Sequence, residues 1–371
     1  MKKFLAIAAS AVLAFGALSF TACGNGGEQQ SAADLTYTEV DLSTPEKKSA
    51  FIEEVTTKMN FDTMFGDTTA ENYSLGLAAD MNYNIDMSAT VKDVPVSEAV
   101  SKDLSASAKL DFGGSTKVKV SADGSLLGES QTAVKLNATL PDEFYSMVEM
   151  PKQAEEMVKA LINNFDYSLT EYIGNGYLYA QFPQSFMDLL PAEVAGMLPE
   201  SGKIKIPLDM GEVVPPVVKS YSAAPSVDSQ TALIVGQVME MLVSFGVNVA
   251  TSTQNGFAIR LTADKNAVMS VLGAVTGEPQ AVAMIEQLAT FNTCALTAYL
   301  AVDANGMFKE VGINIDLDAS VNIAANLFGE GSPAISGALK VSVGMSVKTF
   351  DGDITLPSDL DTYVDMSSLM Q

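Results

Sequence analysis

The side chains that could perform chemistry in this chain are few, and the missing residue types are informative. The sequence contains two cysteines, Cys23 and Cys294, and it has no histidine and no tryptophan. Without histidine, Ser-His-Asp and Cys-His catalysis, imidazole metal sites and imidazole pH switches are all excluded. The Gly-rich stretches lack the lysine of a phosphate-binding loop. The sequence therefore predicts a protein without catalytic residues, metal or cofactor, and not an enzyme.

Cys23 follows a segment typical of exported proteins. The chain begins Met-Lys-Lys and continues with the apolar run FLAIAASAVLAFGALSF. The end of this segment, Phe20-Thr21-Ala22-Cys23, resembles the bacterial lipoprotein signal. The resemblance implies removal of residues 1–22 and acylation of Cys23 with chains such as palmitate, which anchor a protein stably when two or three are present. The alternatives are an ordinary signal with an incidental cysteine and a spanning helix, for which the run is short.

A lipidated Cys23 leaves Cys294 without a disulfide partner. Cys294 lies in an apolar strand pattern, where a single thiol packs as a small apolar side chain. The segment GNGGEQQSAAD after Cys23 is rich in Gly, Gln and Ser, and it predicts a flexible tether. The expected location is the bacterial cell envelope, with the membrane, inner or outer, left open.

The charge balance excludes one class of partner. Removal of residues 1–22 takes away Lys2 and Lys3 and leaves 45 acidic against 19 basic side chains, a formal charge of −26. Such a body cannot bind nucleic acid by neutralising phosphates. Anionic lipid headgroups would also repel it, so the membrane must be reached through the lipid anchor. The sequence indicates no particular protein partner.

Alternation of apolar and polar residues dominates the body and predicts long strands with one dry and one wet face. The pattern holds over about eighteen residues from Asn72, far more than the usual five or six. It returns at 104–112, 116–122, 133–140, 311–323 and 338–350. Asn305-Gly306 predicts a hairpin, and the GNG (174–176) and DFGG (111–114) stretches are expected to be turns.

Helical patterns interrupt these strands. Thr44 and Pro45 form a helix start, as N-cap and first helical residue. Further helices are expected in the amphipathic stretches 143–162, 186–198 and 266–289, the last broken near Gly277 and Pro279, and in 229–246, which is apolar nearly all round and expected to be buried.

The chain divides at a Pro/Ser-rich stretch. We expect a signal (1–22), a tether (23–43), a first half of the body (44–210), a connection (211–228) and a second half (229–371). Asn175-Gly176 and Asn255-Gly256 each lie in a hairpin followed by a helical segment. This shared pattern indicates either a duplicated unit or only a common way of building hairpins.

The predicted fold class is α+β, a large curved antiparallel sheet forming an open half-barrel, covered by several amphipathic or buried helices. Long hairpins such as LTAYLAVDANGMFKEVGINIDLD (296–318) and the closing ITLPSDLDTYVDM (354–366) resemble the half-barrel lipid-carrier lipoproteins, the LolA/LolB and LppX/LprG types. The resemblance implies a hydrophobic cavity between sheet and helices.

A cavity of this kind would be lined by flexible and aromatic side chains. The candidates are Met147, Met150, Met157, Met239, Met241, Tyr177 and Tyr179. The expected function is binding or carriage of a hydrophobic, lipid-like ligand. The alternative is a cell-envelope interaction or structural lipoprotein, in which the same residues simply fill a core.

Overall fold

The computed structural model describes the greater part of the body. It covers residues 31–59, 64, 74–97, 100–121, 125–147, 152, 155–156, 159, 162, 165–188, 195–208, 237, 239–276, 279–325 and 333–367. The predicted signal and residues 23–30 of the tether, with Cys23, lie outside these residues. The predicted connection 211–228 also lies outside them.

Thirteen strands among the described residues form one curved, unclosed sheet. They are β1 (Thr38–Glu39), β2 (Ser74–Ser97), β3 (Val100–Ser121), β4 (Leu126–Thr139), β5 (Phe165–Gly174), β6 (Tyr177–Gln181), β7 (Lys203–Pro207), β8 (Asn248–Ser252), β9 (Phe257–Ala263), β10 (Ala289–Val302), β11 (Phe308–Ile323), β12 (Ile335–Thr349) and β13 (Val364–Asp365). Their order is β1-β8-β9-β10-β11-β12-β2-β3-β4-β5-β6-β7-β13. Neighbours are antiparallel except β7 and β13, which are parallel. The prediction of a large curved antiparallel sheet is confirmed.

The helices are short beside the strands. They are α1 (Pro45–Lys58), α2 (Asp142–Met147), α3 (Gln184–Met187), α4 (Lys265–Thr276) and α5 (Pro279–Leu288). The Thr44 hydroxyl accepts a hydrogen bond from the Lys47 amide at 3.4 Å, so the predicted start of α1 is confirmed. The division of 266–289 into two helices is confirmed as well. Within the described ranges, no helix is long and apolar enough to cross a membrane.

The long strands confirm the alternation, with one correction. β2 has 24 residues and β3 has 22. Gly113 and Gly114 were expected in a turn, but they lie inside β3, paired with Asn82 and Met81. The prediction of a turn at DFGG was therefore wrong: a glycine pair marks a turn only where the chain must reverse, and here both flanking segments continue along one partner strand. The turns at Asn175-Gly176 and Asn305-Gly306 are confirmed.

Cross-strand register assigns every strand residue to one of two faces, because paired residues point to the same side. The apolar face carries rows such as Leu317, Val341, Ile85 and Leu110. The polar face carries the residues between them, including Asn314. The dry and wet sides of the predicted strands are thus continuous across the whole sheet.

Helices pack on the apolar face at the two sides of the sheet. On one side, α1 contributes Phe51 and Val55 to a buried cluster with Phe257, Val302 and other residues of β8–β11. On the other side, α3 adds Met187 to a cluster on β5–β7. The helical residues 239–244 are half-buried or exposed, and none of them is buried. The prediction of a buried helix is therefore wrong for this described part.

Two chain segments lie on the polar face. The N-terminal segment, residues 31–37, packs on β9 and β10 through Ala32 and Leu35. The C-terminal segment, residues 350–363, crosses β3–β7; Asp353 pairs with Lys119 at 3.7 Å, and the Tyr363 ring meets Tyr179. Pairing of β12 with β2 joins the two predicted halves of the body in one sheet.

Candidate functional site

Of the five methionines predicted to line a cavity, only Met239 and Met241 have side chains among the described residues. Met147 ends α2, and its side chain lies outside the described part, as do Met150 and Met157 entirely. Met239 packs against the α1 cluster, in a recess of only about 10 Å³. That volume is barely enough for one water molecule. Met241 is 51% exposed to solvent.

Tyr177 and Tyr179 lie on the polar face of β6, opposite the face that carries the helices. Tyr179 is buried beneath the C-terminal segment, with the Tyr363 ring perpendicular to it at 5.3 Å between centroids. The ammonium group of Lys205 lies 5.2 Å from the centre of the Tyr177 ring. Both tyrosines therefore contact other parts of this chain, on the face opposite the cluster that Met239 packs against.

The apolar face also has a central region between its two helix-packed sides. This central apolar surface consists of Ile85, Met87, Leu110, Leu317, Leu339 and Val341. Met87 is 45% exposed, and the other five side chains are half-buried. Among the described residues, none of the six packs into the buried clusters at the sides. These six side chains are therefore separate from the buried clusters of the described residues.

A polar row interrupts the same apolar face on β3–β5. Thr116, Ser130 and Glu171 lie side by side on these three strands, each less than 9% exposed. The Thr116 hydroxyl donates a hydrogen bond to Ser130 at 2.8 Å. Glu171 Oε1 has no hydrogen-bond partner in the described structure. Burial raises the pKa of Glu171 to about 7, because a charged carboxylate is poorly solvated there.

A cleft lies on the polar face, a place that sequence analysis did not single out. It has a volume of about 560 Å³ and spans β9, β10, β11, β12 and β2, with Ala33 of the N-terminal segment on one wall. Its polar lining includes Asn82, Asn84, Arg260, Tyr299, Asn314 and Asp316. These side chains come from three distant parts of the chain, and the cross-strand register alone brings them together.

Two glycines shape the floor of this cleft. A Cβ at Gly312 would lie 2.3 Å from the hydroxyl oxygen of Tyr299, so only glycine lets that ring lie across β11. A Cβ at Gly344 would lie 3.3 Å from Asn314 Oδ1. The absence of side chains at these two positions leaves a depression between the asparagines and Tyr299.

Arg260 carries the positive charge of the cleft. Its guanidinium group stacks on Tyr37 of the N-terminal segment, 4.3 Å from the ring centre. Its Nε is buried without a hydrogen-bond partner in the part of the chain that the structure describes. Burial also raises the pKa of Tyr37 to about 12, against the opposing effect of Arg260. The guanidinium is thus positioned by stacking and has hydrogen-bonding capacity left over.

Glu310 holds the N-terminal segment beside the cleft. Its carboxylate accepts hydrogen bonds from the Ala32 amide at 2.6 Å, the Ser31 hydroxyl at 2.7 Å and the Tyr299 hydroxyl at 3.1 Å. Glu310 is only 5% exposed. Three donors around one buried carboxylate make a strong attachment point, so this wall of the cleft is fixed.

No family model matches the chain, and no curated protein matches it significantly. Across the described residues, no group of three or more His, Cys, Asp or Glu side chains could hold a metal ion.

Proposed function

We propose that the chain is an exported, lipid-anchored lipoprotein that binds a hydrophobic, lipid-like ligand on the central apolar surface. In this proposal the amphipathic helices close over the sheet, and the ligand lies between helices and strands. The single observation that carries the proposal is the central apolar surface itself: four strands, β11, β12, β2 and β3, present apolar side chains that are not part of the described buried clusters at the sides. Contiguous apolar surface of this kind is typical of interaction and ligand sites.

The anchor would hold the body close to the membrane. Seven residues, and therefore eight Cα–Cα steps, separate Cys23 from Ser31, the first residue held by Glu310. A chain of that length reaches at most about 28 Å. A lipid-anchored Cys23 therefore keeps the ligand surface near the bilayer, where acyl chains are available.

Binding would need no covalent chemistry. Each methylene group taken out of water contributes about 0.8 kcal/mol to the free energy of binding. An acyl chain that lies along the strands is therefore bound more tightly the longer it is. The hydroxyls of Thr116 and Ser130 and the carboxyl of Glu171 lie on the same face, and they offer polar partners for one end of an amphipathic ligand.

Mass spectrometry tests both the lipid anchor and the bound ligand. The sample is the full-length chain, made in a bacterial host and purified in detergent. We expect the denatured protein to begin at Cys23 with added acyl mass. Under native conditions we expect a further, non-covalent lipid mass. An acylated chain without bound lipid would overturn the ligand proposal and favour an interaction lipoprotein with a filled core. A chain without acyl mass would overturn the lipid anchor.

A matched pair of substitutions locates the ligand. Met87 and Ser88 are adjacent exposed residues of β2 that point to opposite faces. Met87→Lys should reduce bound lipid about tenfold, because an ammonium group would enter the apolar surface, whereas Ser88→Lys should leave it unchanged. Equal lipid content in the two variants would exclude the central apolar surface as the site. Far-UV circular dichroism checks that both variants fold.

A further inference from the structure

We infer that the cleft on the polar face is a second binding site, which takes an uncharged, hydroxyl-rich ligand of the size of a mono- or disaccharide. This site is separate from the central apolar surface, because the register places its lining residues on the opposite side of the same strands. The inference does not depend on the hydrophobic ligand proposed above.

The hydrogen-bonding groups of the cleft are available to a ligand. In the described structure, the side-chain amides of Asn82, Asn84 and Asn314 make no hydrogen bond. Each amide offers two donors and one acceptor with two lone pairs. A ligand with adjacent hydroxyl groups, each of which both donates and accepts, matches three such amides. An apolar ligand would leave all of them unsatisfied.

The cleft is lined by one positive and one negative side chain that lie far apart, which argues against a small ion as its ligand. Arg260 on β9 and Asp316 on β11 are separated by two strand spacings and four residues of rise, about 16 Å between Cα atoms. One cation and one carboxylate at opposite ends cannot converge on a single anion or metal. Each can instead bind a hydroxyl group at one end of an extended polar ligand.

The cleft is also preorganised. The Tyr37 ring fixes the guanidinium of Arg260, Tyr299 lies across Gly312, and Glu310 holds the hydroxyl of Tyr299. A ligand would therefore meet a wall whose side chains are already ordered, which reduces the entropy lost on binding. The volume of about 560 Å³ accommodates one or two sugar rings and their waters.

Saturation-transfer NMR on the full-length chain tests this site. The protein is held in a detergent without a sugar headgroup, and the probes are glucose, galactose, mannose, N-acetylglucosamine, maltose, lactose and cellobiose at millimolar concentration. We expect transfer to at least one of these sugars. If none of the seven receives saturation, the inference is wrong.

The same strand offers a matched control. Asn314 lines the cleft, whereas Asn322 lies on the same face of β11 about 26 Å farther along. Asn314→Leu should weaken sugar binding about tenfold, the effect of losing one well-placed hydrogen bond, and Asn322→Leu should have no effect. Equal binding by the two variants would exclude the cleft as the site. The lipid content of both variants should equal that of the parent chain, which separates this result from a failure of the proposed lipid binding.

Discussion

The described part of the sheet contains two deeply buried glutamates whose carboxyl groups differ in their hydrogen bonds. Glu171 and Glu310 are 4% and 5% exposed, and each lies within a strand. Glu310, on the polar face, accepts three hydrogen bonds. Glu171, on the apolar face, has one oxygen without a partner in the described structure and a pKa raised to about 7. The buried carboxylate of Glu310 therefore attaches another segment of the chain, whereas the equally buried carboxyl of Glu171 is destabilising when it is charged.

The two glutamates differ because different groups pack around them on the two faces of the sheet. The polar face receives the N-terminal segment, whose Ala32 amide and Ser31 hydroxyl are donors in need of an acceptor. The apolar face supplies apolar neighbours, with Leu169 and Ile173 two residues away from Glu171 on β5. A carboxyl among such side chains is stable mainly in its neutral form. Among the described residues, the fold thus leaves one oxygen of Glu171 without a hydrogen-bond partner.

Removal of the Glu310 carboxylate should have the largest effect on stability. We expect Glu310→Ala to lower the free energy of unfolding by about 4 kcal/mol, because three donors lose a charged acceptor. Urea denaturation followed by far-UV circular dichroism measures this change. Hydrogen exchange should also show faster exchange at the Ala32 amide. Unchanged protection there would mean that other contacts hold the N-terminal segment.

Glu171→Gln should raise the free energy of unfolding, and only at higher pH. The carboxyl group has a pKa of about 7 when folded against 4.5 as its ordinary value, so the folded state binds more protons between these values. Stability is then lost as pH rises through this window. Glutamine stays neutral, so the variant should match the parent near pH 4.5 and exceed it by about 3 kcal/mol near pH 8.

A neighbouring neutral substitution provides the control for that pH dependence. Ser130 lies directly opposite Glu171, and Ser130→Ala removes a hydroxyl without removing a titrating group. It should shift stability by a constant amount and keep the parent's slope against pH. A parallel slope in Glu171→Gln would show that the carboxyl does not titrate in this range.

Much of the fold could be predicted because it depends on local patterns. Alternation identified the long strands, and Thr44-Pro45 identified the start of α1. The pair Gly113-Gly114 was misread because its effect depends on β2, which supplies partners across it. Glu171 carried a readable signal, an acidic residue at an apolar position between Leu169 and Ile173. Glu310 carried none, since its burial comes from Ser31, 279 positions earlier in the chain.

The candidate sites were less predictable for the same reason. Asn82, Asn314 and Arg260 lie in separate strands, and the local sequence around each of them does not indicate a shared site. Register places them around one cleft, and register between distant strands is a tertiary property. The methionines and tyrosines stood out by residue type, yet Tyr179 and Met239 each pack against other parts of this chain.

The smallest predicted effect concerns the bond between Tyr299 and Glu310. A Cβ at Gly312 would lie 2.3 Å from the Tyr299 hydroxyl oxygen and 2.8 Å from the Met345 carbonyl oxygen. We expect Gly312→Ala to displace the ring and to cost about 2 kcal/mol of unfolding free energy, as overpacking does. Gly344→Ala on the next strand is the control, because its Cβ would approach only the side-chain oxygen of Asn314, at 3.3 Å. If urea denaturation gives both variants the same free energy of unfolding, the position of the Tyr299 ring does not contribute to the hydrogen bonds of Glu310.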